Sequence, residues 1–550
     1  MFKGHPKGLY VAFFANMGER FGFYTMMAIL VLFLDAKFGM TPAESGGLYS
    51  WFYFAIYALA LLGGFLADRL QNYKSVILSG ILIMFGGYVL MGIPGMSYAA
   101  TVAGLFIIAF GNGLFKGNLQ AVVGQIYDDP QYKGLRDSAF SIFYMGINIG
   151  AFFAPSAAAG IRNWWLTSKN FLYDSNLPAL CHSFIKGTIK EQAQFQELAN
   201  KVSGKEVTDL SLFAREYLEV FVTGYNYAFL IAAAAMFVSF LVFVFFKKLL
   251  PDRGQAAKKD AAAVPEMSKE EEKQRLTALA LVFLVVIFFW MSFHQNGLTM
   301  TYFARDYTVQ QVDALSYLIF DLKSFLSLIG AILGLVFVLN RSAAKITRLI
   351  GLVLVVVGSG LSYFFYTKFP AVNPIDPEIF QQFNPIFIVF MTPVVVGVFG
   401  YLNKKGKEPS TPKKIGFGMI MAALGFLLLL VASLHLQSPA ALAGKPSPDR
   451  VSAYWLINTY FILTMAELFL SPMGLSFVSK VAPPRFQGLM QGGWLGATAI
   501  GNKLLFVGSS LWVSIAVWQV WGIFIVCCIL SAVFIFSIMG KLERATSSSK

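Results

Sequence analysis

Apolar runs of about 20 residues recur along the whole chain, and this recurrence limits the fold more than any motif does. Each run is long enough to cross a hydrocarbon layer roughly 30 Å thick as a helix. Spans are read near 9–34, 47–67, 76–93, 99–124, 138–161 and 223–246. Eight more follow near 276–303, 312–339, 348–367, 384–402, 415–436, 453–479, 488–511 and 514–539, about fourteen in all. With 57% hydrophobic and only 13% charged residues, a soluble fold has too little core to hide this apolar surface. The expected class is an all-α, multi-pass integral membrane protein embedded in a lipid bilayer.

The net charge of +14 raises the question of nucleic acid, and its distribution answers it. Of the 43 Lys and Arg residues, 27 fall on segments that share a side with the N-terminus, 12 on the other side and 4 inside spans. Such a bias orients a membrane protein and needs no acidic ligand. Both termini are therefore expected to be cytoplasmic, with no nucleic-acid partner. Cys181 stands alone in a loop and Cys527 and Cys528 share one span, a pattern that suggests neither a disulfide nor a metal site. The first apolar run is too long for a signal-peptide core and contains Glu19 and Arg20, so it is kept as a span.

Two hydrophilic segments divide the chain. Residues 247–275, with KKDAAAVPEMSKEEEKQR, have no apolar stripe and read as a cytoplasmic linker between residues 1–246, a six-helix bundle, and residues 276–550, a second bundle. Residues 162–222 are polar and mixed in charge, and read as a small element on the outer face. A two-bundle plan places a binding site between the bundles near the membrane midplane.

Ionisable groups inside spans cost at least about 2.5–3.5 kcal/mol each on insertion scales, so each asks for a reason. They are Glu19 and Arg20 in the first span, Lys116 in the fourth, His294 in the seventh, Asp321 and Lys323 in the eighth, Glu467 in the twelfth and Lys503 in the thirteenth. A structural ion pair is the plain alternative for any one of them. Asn16, Glu19, Arg20, Phe23 and Met27 follow helical spacing on one stripe, with Tyr24 at its edge. That stripe is expected to face a cavity. Ser471-Pro472, just after Glu467, is expected to open the helix backbone. Cations from the first bundle (Arg20, Lys116) and an anion from the second (Glu467) suit a zwitterion. Tyr24, Tyr57, Trp290 and Trp494 are candidate apolar walls, with ordinary packing as the alternative for each.

At these residues the chain resembles the proton-dependent oligopeptide transporter family of the major facilitator superfamily. GERFGFY (18–24) is similar to the family's ExxERFxYY motif, and GGFLADR (63–69) to the turn after its second span. GNGLFKGN (111–118), FYMGINIG (143–150), FFWMSFHQ (288–295), FNPIFI (383–388) and AELFLSPMGLSFVSKVAP (466–483) resemble further family motifs in the family's order. The resemblance implies a major facilitator fold, two six-helix bundles with an additional helix pair. Family members commonly carry that pair between the bundles, whereas here it occupies 312–367. It implies that Arg20 and Lys116 bind a peptide carboxylate and Glu467 the amino terminus, while Asn148 and Asn384 bond the peptide backbone. Tyr24, Tyr57, Trp290 and Trp494 would then line side-chain pockets, and Glu19 and Arg20 would form a proton-coupled network with Lys116.

The chain departs from the family pattern at Asn16, where the first Glu is usual, at Met27 and Gly117, and at His294, where an acidic residue is usual. The expected activity is import of di- and tripeptides by alternating access in a cell membrane, specifically a bacterial inner membrane, coupled to protons through a variant relay. His294 is the residue expected to carry the displaced proton function, tuned by a carboxylate such as Glu467; a neutral, hydrogen-bonded histidine is the alternative. A monomer is expected, with short peptides and protons as partners, no cofactor and no metal. The rivals are a transporter of the same build for another amphipathic or organic-anion substrate and a membrane-embedded enzyme. The latter would need a nucleophile–base or metal cluster that the motifs do not supply.

Overall fold

The computed structural model describes residues 4–70, 72–127, 129, 131–251, 267–340, 343–442 and 446–547. Residues 252–266, the centre of the linker read from the sequence, lie outside the described residues.

The first bundle holds α1 (Lys7–Phe38), α2 (Pro42–Leu70), α3 (Tyr73–Met91), α4 (Tyr98–Ile126), α5 (Arg136–Ser168) and α8 (Leu210–Phe246). Two short helices, α6 (Leu177–Ile185) and α7 (Gln192–Ser203), sit between α5 and α8. The second bundle begins with α9 (Lys269–Phe293), a 3₁₀ turn at His294–Gly297, and α10 (Thr299–Asp306). It continues through α11 (Ala314–Tyr317), α12 (Leu322–Leu339), α13 (Lys345–Lys368), α14 (Phe383–Lys404), α15 (Thr411–Ser433), α16 (Pro439–Leu442) and α17 (Ala453–Val481). It closes with α18 (Gln487–Lys503), α19 (Phe506–Trp512), α20 (Val517–Ser537) and α21 (Met539–Ser547). Among the described residues thirteen helical segments are long and apolar enough to span a bilayer. The fourteenth run, 488–511, is present but split into α18 and α19.

The face at which α1 begins is called the terminal face below; the other is the distal face. In the first bundle α1 packs on α5 and α8, while α4 packs on α2 and α3. The α2–α4 crossing is close because Gly63 meets the backbone of Gly113: a Cβ on Gly63 would lie 2.2 Å from the Gly113 carbonyl oxygen. α1 stops at Gly39, whose left-handed φ of 60° lets its N–H return to the Asp35 carbonyl at 2.9 Å.

The segment 162–222, read from the sequence as a small outer-face element, is helical and packed on the first bundle. Its flanks prolong α5 and α8 beyond the spans read from the sequence, and α6 and α7 fold onto them around Phe195, Ala199, Val202, Phe213 and Tyr217, all buried. Cys181 is buried in this cap, and burial pushes its thiol well above the usual range, so it stays protonated. His182 Nε2 docks the cap onto α1 through the Ala36 carbonyl at 2.7 Å.

The extra helix pair is α12–α13, whose helices pack chiefly on each other. Gly334 and Gly351 bring their backbones into contact, while outward Leu335 and Val356 remain 50% and 64% exposed for lipid. A two-residue antiparallel ladder, β1 (Gln311–Val312) with β2 (Asn373–Pro374), clasps its distal end. The eighth span begins at Leu322 rather than 312, which changes the reading of two charges. Asp321 is the N-cap of α12, accepting from the Ser324 N–H at 3.0 Å, and Lys323 is exposed. The charges sit at the helix entrance because the orphan N–H groups there need an acceptor. Asp321→Ala should lower the thermal midpoint modestly, for a cost of about 1 kcal/mol, and leave transport unchanged; an unaltered midpoint would count against the cap.

Candidate functional site

The sequence-read polar groups meet where the bundles face each other. On α1, Arg20 grips the Glu19 carboxylate through both Nε and Nη2, the second contact at 2.5 Å. Asn112 of α4 adds its amide to the same carboxylate at 2.5 Å, and the guanidinium lies 4.7 Å from the Phe23 ring centre. The α1 stripe does not face open water: Asn16, Glu19, Arg20, Phe23 and Met27 are at most 5% exposed. Glu19 and Arg20 neutralise each other and can therefore be sealed between helices. Asn16 bonds the Phe143 carbonyl at 3.4 Å, which closes α1 on α5. Tyr24, at the stripe's edge, keeps partial solvent access.

Lys116 is placed differently. It is half-buried, makes no ion pair among the described residues, and its ammonium stands 4.3 Å from the Tyr57 ring centre. Glu19 and Arg20 lie within its electrostatic range without touching it. Across the seam Glu467 is also half-buried, enclosed by protein rather than turned to lipid, and makes no ion pair among the described residues. It accepts one hydrogen bond, from Asn384 Nδ2 at 3.0 Å, and Asn384 also reaches Thr464 at 3.0 Å. Tyr24 and Tyr57 each lie within electrostatic range of both Arg20 and Glu467. The cation of one bundle and the anion of the other thus border the same tyrosines. α17 runs unbroken past Ser471-Pro472, so the backbone opening expected there is not present.

His294 is enclosed, 7% exposed, with its ring between Tyr53 (4.6 Å) and Trp290 (4.7 Å). Its Nδ1–H donates to Asn502 Oδ1 at 2.5 Å. The neighbour that orients it is therefore an amide, not the carboxylate expected from the sequence; the charged group in range is Lys116. His294 sits at the break between α9 and α10, and Asn502 in the last turn of α18, just before the break at Leu504-Leu505. Gln295 Nε2 crosses from one break to the Leu505 carbonyl of the other at 3.2 Å, which satisfies backbone freed by the interruption. Asn148 is half-buried on α5, its amide bonded to the Tyr144 carbonyl at 3.1 Å. Trp494 is only 5% exposed, pressed on Gly474 and edge-on to Phe283, so it backs the wall that Tyr24, Tyr57 and Trp290 face directly.

Sequence reasoning placed Asn112 in a polar patch with Lys116 but missed Tyr53 and Asn502. Tyr53 lies one helical turn before Tyr57, and Asn502 adjoins Lys503 in an apolar run, so both had a readable signal.

The cavity is sealed on the distal face. Arg305 reaches Asp35 at 2.8 Å, Tyr302 and Ser45 share a hydrogen bond of 2.6 Å, and Ser156 donates to Gln382 at 2.9 Å. Arg162 pairs with Glu378, and with Asp376 at 3.1 Å. Nearer the terminal face Tyr144, though surrounded by protein, is still 41% exposed. Among the described residues no cluster of His, Cys, Asp or Glu could hold a metal.

Comparison with known proteins follows this geometry. The POT family model matches residues 73–264 and 368–520, leaving the interval with α12–α13 unmatched. The dipeptide and tripeptide permease A of Cronobacter turicensis is 28% identical over 520 residues, covering 91% of this chain and 84% of the relative. That of Escherichia coli is 24% identical over 516 residues, covering 91% and 83%. A crystal structure of peptide transporter POT in complex with sulfate superposes with a TM-score of 0.67 at 22% identity, covering 99% and 96% of the two chains. A POT family transporter in complex with 5-aminolevulinic acid gives 0.67 at 18%, covering 98% of each; at these identities the likeness concerns the fold. Since the matched segments amount to more than half of the chain, it belongs to the POT family, as a transporter and not an enzyme.

Proposed function

We propose that this protein imports di- and tripeptides by alternating access, coupled to protons. The observation that carries the reading is a pair of uncommitted charges, Lys116 and Glu467, supplied by opposite bundles to a cavity they share. A short peptide presents matching charges at its two ends, so binding one would bridge the bundles and bias their closure. Names of the relatives support a peptide cargo. Lys116 takes the carboxylate first, since Arg20 is committed to Glu19 in this state and joins only as that pair loosens. Glu467 takes the amino group, Asn148 and Asn384 bond the peptide backbone, and Tyr24, Tyr57, Trp290 and Trp494 surround the side chains.

The basic bias of the terminal-face segments supports a cytoplasmic location for that face in a bacterial inner membrane. The cavity, closed distally, then represents the inward-facing state. The proton path runs through Glu19, Arg20, Lys116, His294 and Glu467, because Asn16 does not titrate. Held between two aromatic rings and next to Lys116, His294 couples the cavity to the break in α9–α10. His294→Gln should keep dialanine binding and exchange but lose uphill accumulation in proteoliposomes with an imposed pH gradient; undiminished accumulation would defeat the relay. A second reading, another small zwitterion as cargo, is favoured by the 5-aminolevulinic acid bound in one structural neighbour. Competition between dialanine and labelled 5-aminolevulinic acid for uptake distinguishes the two.

A further inference from the structure

Far from the cavity, the distal seam contains a group of charges that does not balance. Arg162 of α5 is fully buried and faces two carboxylates of the second bundle, Glu378, also fully buried, and Asp376, 12% exposed. Asn163 holds the arrangement by accepting from Arg162 Nη2 at 2.9 Å and donating to Asp376 Oδ2 at 2.8 Å. The remaining neighbours are tyrosines: the guanidinium lies 3.6 Å from the Tyr173 ring centre and 3.4 Å from the Tyr225 hydroxyl. Among the described residues Arg162 is the one cation that pairs with Glu378 or Asp376, from α5, α8, the loop carrying Tyr173, or α1, α10, α14 and α17, which pack on the 3₁₀ turn at Pro377–Gln382. Glu378 Oε2 is buried with no hydrogen-bond donor. The other distal arginine provides a contrast. Arg305 also meets two carboxylates, Asp35 and Asp306, but Arg450 lies in electrostatic range of Asp306 and bonds the Arg305 carbonyl at 3.0 Å. That group has a second guanidinium, which also lies in electrostatic range of Asp174.

One guanidinium between two ionised carboxylates leaves a negative charge without a counterpart, and at Glu378, which is fully buried, burial of an unbalanced charge is strongly unfavourable. We propose that the Arg162–Asp376–Glu378 cluster is a proton-binding site, filled when the distal face closes and emptied when it opens. In the closed state a proton from water joins Glu378 at Oε2, the buried oxygen without a partner, and the cluster becomes neutral. On opening, α5 leaves the 3₁₀ turn, water reaches Glu378, its carboxyl ionises and the proton returns to the distal solution. The closed state holds one proton more than the open state. By linkage acid therefore favours closure, and the open-to-closed ratio rises with pH by up to tenfold per unit. This site is separate from the central relay and sets how readily the distal face opens; it rests on the alternating-access reading but not on the identity of the cargo.

The test is a distance distribution between spin labels on cysteines replacing Leu172 and Leu315, both exposed on the distal face, in full-length protein with its native cysteines replaced. In detergent both faces experience the same pH and no peptide is present, so the result is independent of cargo and of dialanine uptake. From pH 5 to 8 the open fraction should grow steeply in the parent. It should stay low and nearly flat in Glu378→Gln and in Asp376→Asn, each of which leaves one anion for Arg162. If one variant fails to fold, the other provides the same reading. A parent-like slope in either variant, a slope that follows sodium instead of pH, or a parent distance unchanged at every pH would overturn the proposal.

Discussion

Glu467→Gln should raise the dialanine concentration for half-maximal uptake roughly 10- to 100-fold, with yield and thermal midpoint near those of the parent. A hydrogen bond to a charged partner contributes about 1.5–3 kcal/mol, and about 1.4 kcal/mol corresponds to a factor of ten. The fold should tolerate the change because Gln retains an oxygen for Asn384, the residue that holds Glu467 in place. A double comparison isolates the contact. N-acetyl-dialanine lacks the ammonium and should be a poor substrate for the parent by a similar factor, and Glu467→Gln should make it little worse. If the variant weakened both compounds equally, Glu467 would have a role other than meeting an amino group.

Gly63→Ala should be the most damaging of the small substitutions. The added methyl would lie 2.2 Å from the Gly113 oxygen and 2.7 Å from its carbonyl carbon. Both are backbone atoms, so no side-chain rotation relieves the clash and α2 must part from α4. Overpacking of this kind costs about 1–3 kcal/mol or more. Separation would also strain the bond from Asn118 Nδ2 to the Gly63 carbonyl, 3.0 Å in the parent, leaving that amide only its bond to the Leu114 carbonyl of α4 at 2.8 Å. Gly64 is the internal control, since a methyl there meets nothing within 4 Å. Purified protein from the two variants should differ sharply in yield and thermal midpoint; equal behaviour would refute close packing at this crossing.

The spans were legible because a helix in hydrocarbon must be apolar for a fixed length, and the run lengths register that directly. Interruptions were not. Leu504-Leu505 is as apolar as its surroundings, so the break between α18 and α19 leaves no hydropathy signal; it is stabilised by Gln295, more than 200 positions away. Asp321 misled for the opposite reason: a carboxylate at the end of a long apolar run reads as intramembrane until the cap geometry is known. Glu19, Arg20, Lys116 and Glu467 stood out because a charge in a span is conspicuous. Asp35, Arg305, Arg162 and Glu378 did not, since charges near helix ends are ordinarily solvated, and what makes these unusual is a partner from the other half of the chain.

The two helix breaks have a mechanical consequence. α9 and α18 are interrupted and cross-linked to each other by Gln295 and by the His294–Asn502 contact. The segments past the joint, α10 and α19, can therefore tilt as a coupled flap while the longer stems keep their packing. A flap hinged at a residue that touches the central chamber converts a small rotation there into a larger sweep at the far rim, as a short lever arm drives a long one.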